Sequence, residues 1–220
     1  MAVRHHAFGF DGEKYLAAVA RAVGPGPRFR WRDLAAEARR VTESANPETR
    51  AVLAYLRFDE DWLDTGSEFS ASRLLAVVLA EQLEALPSLS SPGQHDWWVL
   101  ERIASIAGWN RSDVDRLVRG APLASLPVAL GRPDLIPVFQ DSREPGGVLP
   151  APSVGPMAIA LASLEHRFRC PGQQDAAALG DSLPAVKTGP GLAHVTSGAF
   201  DNALAMLRAA KGQSIFLLFE

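Results

Sequence analysis

The chain approaches its end in a short apolar run, Ser-Ile-Phe-Leu-Leu-Phe, which occupies Ser214–Phe219. Lys211 and Gly212 come before it, and a short apolar run that follows turn residues is typical of a buried strand. At the other end of the chain, Val3–Phe10 also carries residues that are compatible with a strand. We therefore expect the two ends to meet in a small terminal β-sheet. A loose N-terminus beside a single edge strand is the alternative.

Between these two ends, helix signals dominate the sequence. Apolar residues recur at helical spacing from Tyr15 to Val23 and again from Leu74 to Leu86, where Pro87 should end the helix. Asn46 followed by Pro47 is typical of an N-cap and a first helical residue. These patterns predict a mainly α fold, a helical globular protein whose one small sheet joins the two ends of the chain.

Proline and glycine divide the chain into parts. Residues 1–120 are expected to form a helical part that ends in a tight helical corner at 96–120. Residues 121–156 are rich in proline and glycine, which predicts a long connection. Residues 157–220 hold the C-terminal helices and the final strand. For a chain of 220 residues, we expect these parts to pack together as one domain.

Composition narrows the class of protein. Hydrophobic residues make up 47% and charged residues 21%, the balance of a folded protein, and the net charge of −3 gives no overall attraction to nucleic acid. The single cysteine, Cys170, cannot form an internal disulfide, which fits a reducing compartment. No long apolar stretch follows the first residues, so we expect no secretory signal, and the apolar runs are too short to span a bilayer. We expect a cytoplasmic protein without a membrane partner, a cofactor or a metal.

The most informative local pattern lies in residues 100–119, which read Leu-Glu-Arg-Ile-Ala-Ser-Ile-Ala-Gly-Trp-Asn-Arg-Ser-Asp-Val-Asp-Arg-Leu-Val-Arg. In it, the small residue Ala104 is followed by Gly108 and then by Val114, a spacing that resembles the helix-turn-helix unit of bacterial and phage repressors. The spacing has a physical cause. The two helices cross at the small residue, and the glycine ends the first helix in a left-handed conformation. The aliphatic residue then packs the second helix back onto the first.

The resemblance implies that the second helix of this unit enters the major groove of duplex DNA. The DNA contacts would then be its outward residues, Asn110, Arg111, Ser112 and Arg116. Arginine pairs with guanine and asparagine with adenine, and a homodimer is expected because one recognition helix buries little surface. Asp113 and Asp115 lie on the same helix, and their negative charges would repel the DNA phosphates. A purely structural helical corner would produce the same spacing.

A non-catalytic protein-interaction module, such as an inhibitor, immunity or accessory protein, is the alternative function. Such a module would bind a protein partner through an acidic surface at Asp59–Asp64 or an aromatic surface at Trp97 and Trp98. A small-molecule or metal-dependent enzyme ranks third, because the sequence offers no acid, base and nucleophile that form a set. The leading hypothesis is therefore a DNA-binding regulatory protein.

Three further patterns suggest chemistry but lack the partners that this chemistry needs. Ala178–Leu183 contains the Gly-Asp-Ser-Leu string of the GDSL hydrolase family, but the serine lies late in the chain and no Asp-x-x-His block follows it. His166 and Cys170 would share one face of a helix, yet two ligands do not make a metal site. His5 and His6 would point to opposite faces of a strand. We therefore predict no catalytic and no metal-binding residues.

Overall fold

A computed structural model describes residues 5–24, 31–59, 61–64, 71–87, 90–91, 94–140, 146–169, 171–182 and 190–219. Its strands are β1 (His5–Phe10), β2 (Glu84–Leu86), β3 (Ser90–Ser91), β4 (Gln94–His95), β5 (Gly146–Leu149) and β6 (Ser214–Phe219). Its helices are α1 (Gly12–Val23), α2 (Trp31–Glu43), α3 (Pro47–Tyr55), α4 (Asp61–Asp64), α5 (Ala71–Ala80), α6 (Asp96–Ile106), α7 (Arg111–Arg119), α8 (Leu126–Ala129), α9 (Ile136–Phe139), α10 (Ala151–Arg169), α11 (Gln173–Ser182) and α12 (Pro190–Ala209).

The two ends of the chain meet in a four-stranded antiparallel sheet with the order β2-β1-β6-β5. β1 and β6 lie side by side at its centre, where His5 pairs with Phe219. The predicted pairing of Val3–Phe10 with Ser214–Phe219 is confirmed from His5 onward, while Val3 itself lies outside the described residues. The mainly α fold class is confirmed as well, because helices account for most of the described chain.

β6 carries apolar side chains on both of its faces, and a layer of helices covers each face. Phe216 and Leu218 pack with α1–α5, α8 and α9, which we call the N-terminal layer. Ile215 and Leu217 pack with α6, α7 and α10–α12, the C-terminal layer. A strand that is buried on both faces reads as an unbroken apolar run instead of an alternating one. This explains the composition of Ser214–Phe219.

Two strands at the edges of the sheet lie where the sequence predicts other structure. The expected helix end at Pro87 is wrong, because α5 ends at Ala80 and Glu84–Leu86 pairs with β1. β5 lies in the predicted connection 121–156, together with the short helices α8 and α9 and the start of α10. Both strands bond backbone groups of β1 and β6 that a two-stranded sheet would leave unpaired. Tertiary pairing therefore overrides the local signal.

The N-terminal layer is held by contacts that the sequence partly predicts. The predicted N-cap of α3 is confirmed, because Asn46 Oδ1 accepts a hydrogen bond from the Thr49 N–H at 2.7 Å. Tyr15 is fully buried, and its hydroxyl donates to the carbonyl oxygen of Leu75 at 3.1 Å. This bond ties α1 to α5 beneath the sheet.

α10 and α12 are the longest helices of the described chain, with 19 and 20 residues. They pack against each other in the C-terminal layer, where Leu161 and Phe200 are buried. Pro156 lies inside α10 and removes one backbone donor from its first half. Among the described residues, no helix combines the length and the apolar character that crossing a bilayer would require.

Candidate functional site

The corner between α6 and α7 has the geometry that its sequence predicts. Ala104 is fully buried where the two helices cross, and Gly108 adopts a left-handed backbone with φ 83°. The turn is closed by the N–H of Trp109, which donates to the carbonyl oxygen of Ala104 at 3.0 Å. This is a glycine-dependent helix end, in which the chain reverses direction within a few residues. α7 therefore starts at a fixed position beside α6.

Asn110 caps α7. Its Oδ1 accepts from the Asp113 N–H at 2.9 Å, and its Nδ2 donates to Asp113 Oδ2 at 2.5 Å. The Asn110 side chain thus satisfies one backbone N–H of the first turn, and the Asp113 carboxylate holds that side chain in place. Both ends of the Asn110 amide are engaged within α7 itself, so this residue mainly fixes the first turn of the helix.

The inner side of α7 packs against β5 and β6 of the sheet. Val114, Leu117 and Val118 are buried there. At the end of the helix, a Cβ on Gly147 of β5 would lie 2.0 Å from the carbonyl oxygen of Arg119, so that only glycine fits. The sequence does not predict this close contact between β5 and α7. Gly146 and Gly147 look like turn residues, and their role depends on a helix end that is distant in the chain.

A buried histidine also contacts α7 from below. His5 of β1 is 1% exposed, and its Nε2 lies 3.2 Å from the carbonyl oxygen of Val118. Because a carbonyl only accepts, this nitrogen carries the proton and donates it. Burial, together with the charge of His6, lowers the pKa of His5 from 6.5 to about 4, while the bond to Val118 acts in the opposite direction. The ring is therefore neutral near pH 7 and links β1 to the last turn of α7.

The four residues predicted to contact DNA all lie on α7 or at its cap, and all are exposed: Asn110, Arg111, Ser112 and Arg116. The side chain of Arg111 is 96% accessible. The opposite side of the helix is the buried one described above. The outer surface of α7 thus combines cationic and hydrogen-bonding groups on a rigid support.

One side of this surface faces α6, and we call it the α6 flank, formed by Glu101, Arg111, Asp115 and Arg119. Its charges are paired with one another. Arg119 lies 2.6 Å from Glu101 and 2.6 Å from Asp115, and Arg111 lies 3.8 Å from Asp115. These pairs are partly exposed, and such pairs contribute little to stability. The arginines are therefore held in position, yet they are not locked in a buried network.

The other side faces α10, and we call it the α10 flank. A groove of about 570 Å³ runs there between α7 and the first turns of α10. Apolar residues form most of its lining, namely Trp109, Leu149, Pro152, Pro156, Met157 and Ala160. Arg116 lines the same groove, is exposed, and forms no ion pair with any described residue. The flank therefore offers an apolar cleft with one cation whose charge is not neutralised by an ion pair.

The histidine and cysteine candidates do not come together into a site. His5 and His6 face opposite layers, since His5 contacts α7 whereas the His6 ring lies 4.4 Å from that of Tyr55. His166 is exposed on α10, and Cys170 lies outside the described residues. In the part of the chain that the structure describes, no three His, Cys, Asp or Glu side chains are grouped closely enough to hold a metal ion.

The segments that suggested a hydrolase or a protein-binding surface are also separate from α7. Ser182 is the last residue of α11 and does not follow a strand; its side chain lies outside the described residues. The acidic segment Asp59–Asp64 includes α4, with Glu60 outside the described residues. Trp97 and Trp98 are half-buried in α6. None of the described side chains in these segments lines the groove beside α7.

Comparison with known proteins adds no family to this geometry. The chain matches no protein-family model, no curated protein and no solved structure at a significant level. The function must therefore be inferred from α7, its support and its two flanks.

Proposed function

We propose that the protein binds duplex DNA through α7 and acts as a regulatory DNA-binding protein. The observation that supports this most is the exposure of all four predicted contact residues on a helix whose opposite side is buried. A recognition helix needs this arrangement, because its outer residues must reach base edges while its inner residues hold it rigidly.

The chemistry of the outer face fits this role. Arg111 and Arg116 carry planar guanidinium groups that can bond the O6 and N7 atoms of guanine in the major groove. Ser112 can bond either a base or a phosphate. Asn110 assists by fixing the first turn of α7, because its amide is already engaged with Asp113.

Asp115 is the residue of this surface that disfavours DNA binding. It pairs with Arg111 and Arg119 and partly neutralises them. These pairs are exposed, so exchanging a carboxylate for a DNA phosphate costs little free energy. Because one helix of nine residues offers a small interface, we propose a homodimer that reads two half-sites about 34 Å apart.

The test is a fluorescence-anisotropy titration with a pool of random duplex DNA, from about 50 mM salt upward. We expect the affinity of the wild type to fall steeply with salt. On DNA of random sequence these two arginines meet phosphates, so the double variant Arg111→Ala, Arg116→Ala should bind more weakly and its slope of log K against log salt should be reduced by about 2.

The matched control is the double variant Arg132→Ala, Arg167→Ala. It removes the same two charges from arginines that pair with Asp134 and Asp175, away from α7. We expect it to bind like the wild type. If the wild type does not bind at low salt, or if both double variants lose the same affinity, the DNA proposal is wrong and the protein-interaction alternative is favoured.

A further inference from the structure

We infer that the groove of the α10 flank binds a small apolar molecule that carries one anionic group, and that this ligand competes with DNA for Arg116. The ligand site rests on the groove alone. The competition rests on the proposed function, because it needs Arg116 to contact DNA as well.

The shape and the lining of the groove indicate a small-molecule ligand. Its volume of about 570 Å³ lies within the range of typical ligand sites, about 300–1,000 Å³. Trp109 from the α6–α7 turn, Met157 from α10 and the buried Leu149 of β5 all line it. An aromatic or aliphatic body would cover this apolar surface and remove it from water.

The charges in the groove select the polar group of the ligand. The lining contains one carboxylate, Asp113, and this group already accepts a hydrogen bond from the Asn110 side-chain amide. Arg116, the one cation of the lining, forms no ion pair with a described residue. A carboxylate or sulfonate on the ligand would complement its guanidinium, which prefers planar or multidentate anions.

The position of Arg116 makes the two kinds of binding exclusive. A guanidinium that is held by a ligand anion in the groove cannot also bond guanine or phosphate in front of α7. By linkage, the ligand must then weaken DNA binding by the same factor by which DNA weakens ligand binding. Such coupling would make the protein a DNA-binding protein that responds to an anionic effector.

The probes are anilinonaphthalene sulfonate and its uncharged counterpart phenylnaphthylamine, both of which fluoresce in apolar surroundings. Binding is measured on the folded protein without DNA, with near-ultraviolet circular dichroism as proof of native packing. We expect Arg116→Gln to weaken the sulfonate by at least about tenfold and to change phenylnaphthylamine much less. Ala160→Trp, which fills the groove from α10, should weaken both probes.

Two further variants separate the ligand site from the DNA surface. Arg132→Gln lies outside the groove and away from α7, and this variant should bind both probes and DNA like the wild type. Arg111→Gln should weaken DNA and leave the probes unchanged. Saturating sulfonate should displace DNA from the wild type but not from Ala160→Trp.

Each half of the inference has its own overturning result. If the sulfonate does not bind, or if Ala160→Trp binds it as tightly as the wild type does, the ligand site is refuted, whatever the DNA titration gives. If the sulfonate binds and DNA does too, but neither displaces the other, the competition is refuted. If the sulfonate binds as expected and the protein does not bind DNA, the ligand site stands and the proposed function fails.

Discussion

The two flanks of α7 carry similar charged groups in opposite states. On the α6 flank, Arg111 and Arg119 share Asp115, and Arg119 also contacts Glu101. On the α10 flank, Arg116 has no ion-pair partner among the described residues and borders an apolar groove. Exposure alone therefore does not identify a binding surface. A partner must displace carboxylates on one flank and meets an unpaired cation on the other.

Both flanks stand on the same support. The end of α7 approaches β5 at Gly147, and the two residues Ala121 and Val148 exchange backbone hydrogen bonds of 2.7 Å just beyond the helix. His5 contacts the helix from β1. Changes in this support should affect both flanks together, whereas changes on the surface should affect one of them.

The largest effect is expected for Gly147→Ala. The added Cβ would lie 2.0 Å from the Arg119 carbonyl oxygen, a backbone atom that cannot move without shifting α7. We expect a loss in the free energy of unfolding at or above the upper end of the usual overpacking range, about 3 kcal/mol, measured by urea denaturation.

The control for this change is Gly155→Ala on α10, where a Cβ meets no atom within 4 Å. Alanine is the better helix former, so this variant should be unchanged or more stable by up to about 1 kcal/mol. Equal stability of the two variants would show that the close approach of α7 to β5 is not tight in solution.

A smaller effect, confined to acidic pH, is expected from His5. Its pKa is about 4 in the folded protein and 6.5 in the unfolded chain, so between these values only the unfolded chain binds the proton. The stability from a neutral His5 is therefore complete above about pH 6.5 and is lost as the pH falls toward 4, by at most about 3 kcal/mol.

Denaturation of the wild type and of His5→Gln at several pH values tests this expectation. Glutamine can still donate to Val118 but has no proton to gain in this range. The stability advantage of the wild type at pH 7 should shrink steadily as the pH falls to 4. A difference between the two proteins that does not change with pH would contradict a buried, neutral His5.

The features that the sequence predicts correctly are those that neighbouring residues determine. The left-handed Gly108, the small Ala104 and the Asn46 cap follow from spacing along one or two helices. The pairing of the two chain ends was predictable because Ser214–Phe219 is too short and too apolar for a surface helix.

The remaining features depend on contacts between distant segments. β2 and β5 are strands because their backbones pair with the open edges of β1 and β6. Neither Glu84–Leu86 nor Gly146–Leu149 carries a strong strand pattern of its own. The groove exists because the Pro152–Ala160 part of α10 lies beside the α6–α7 turn. A sequence pattern within residues 100–119 contains no information about that neighbour, nor about the lack of an ion pair between Arg116 and the described residues.

The smallest effect on stability, and the sharpest test of the two flanks, is expected from Asp115→Asn. The variant frees Arg111 and leaves Arg119 paired with Glu101 alone, and because these pairs are exposed its free energy of unfolding should change by no more than about 1 kcal/mol. DNA binding through α7 should become tighter, with a steeper salt dependence, because Arg111 gains freedom to meet a phosphate and the repelling carboxylate is gone. Asp134→Asn removes an equal charge beside Arg132, away from α7, and controls for net charge. Sulfonate binding in the groove should stay the same in both variants, since neither aspartate lines it.

If Asp115→Asn and Asp134→Asn raise DNA affinity equally, only overall charge matters and α7 is not the reading helix. If Asp115→Asn alone raises it, the paired arginines of the α6 flank are a restrained DNA-binding surface, and the carboxylate between them limits affinity.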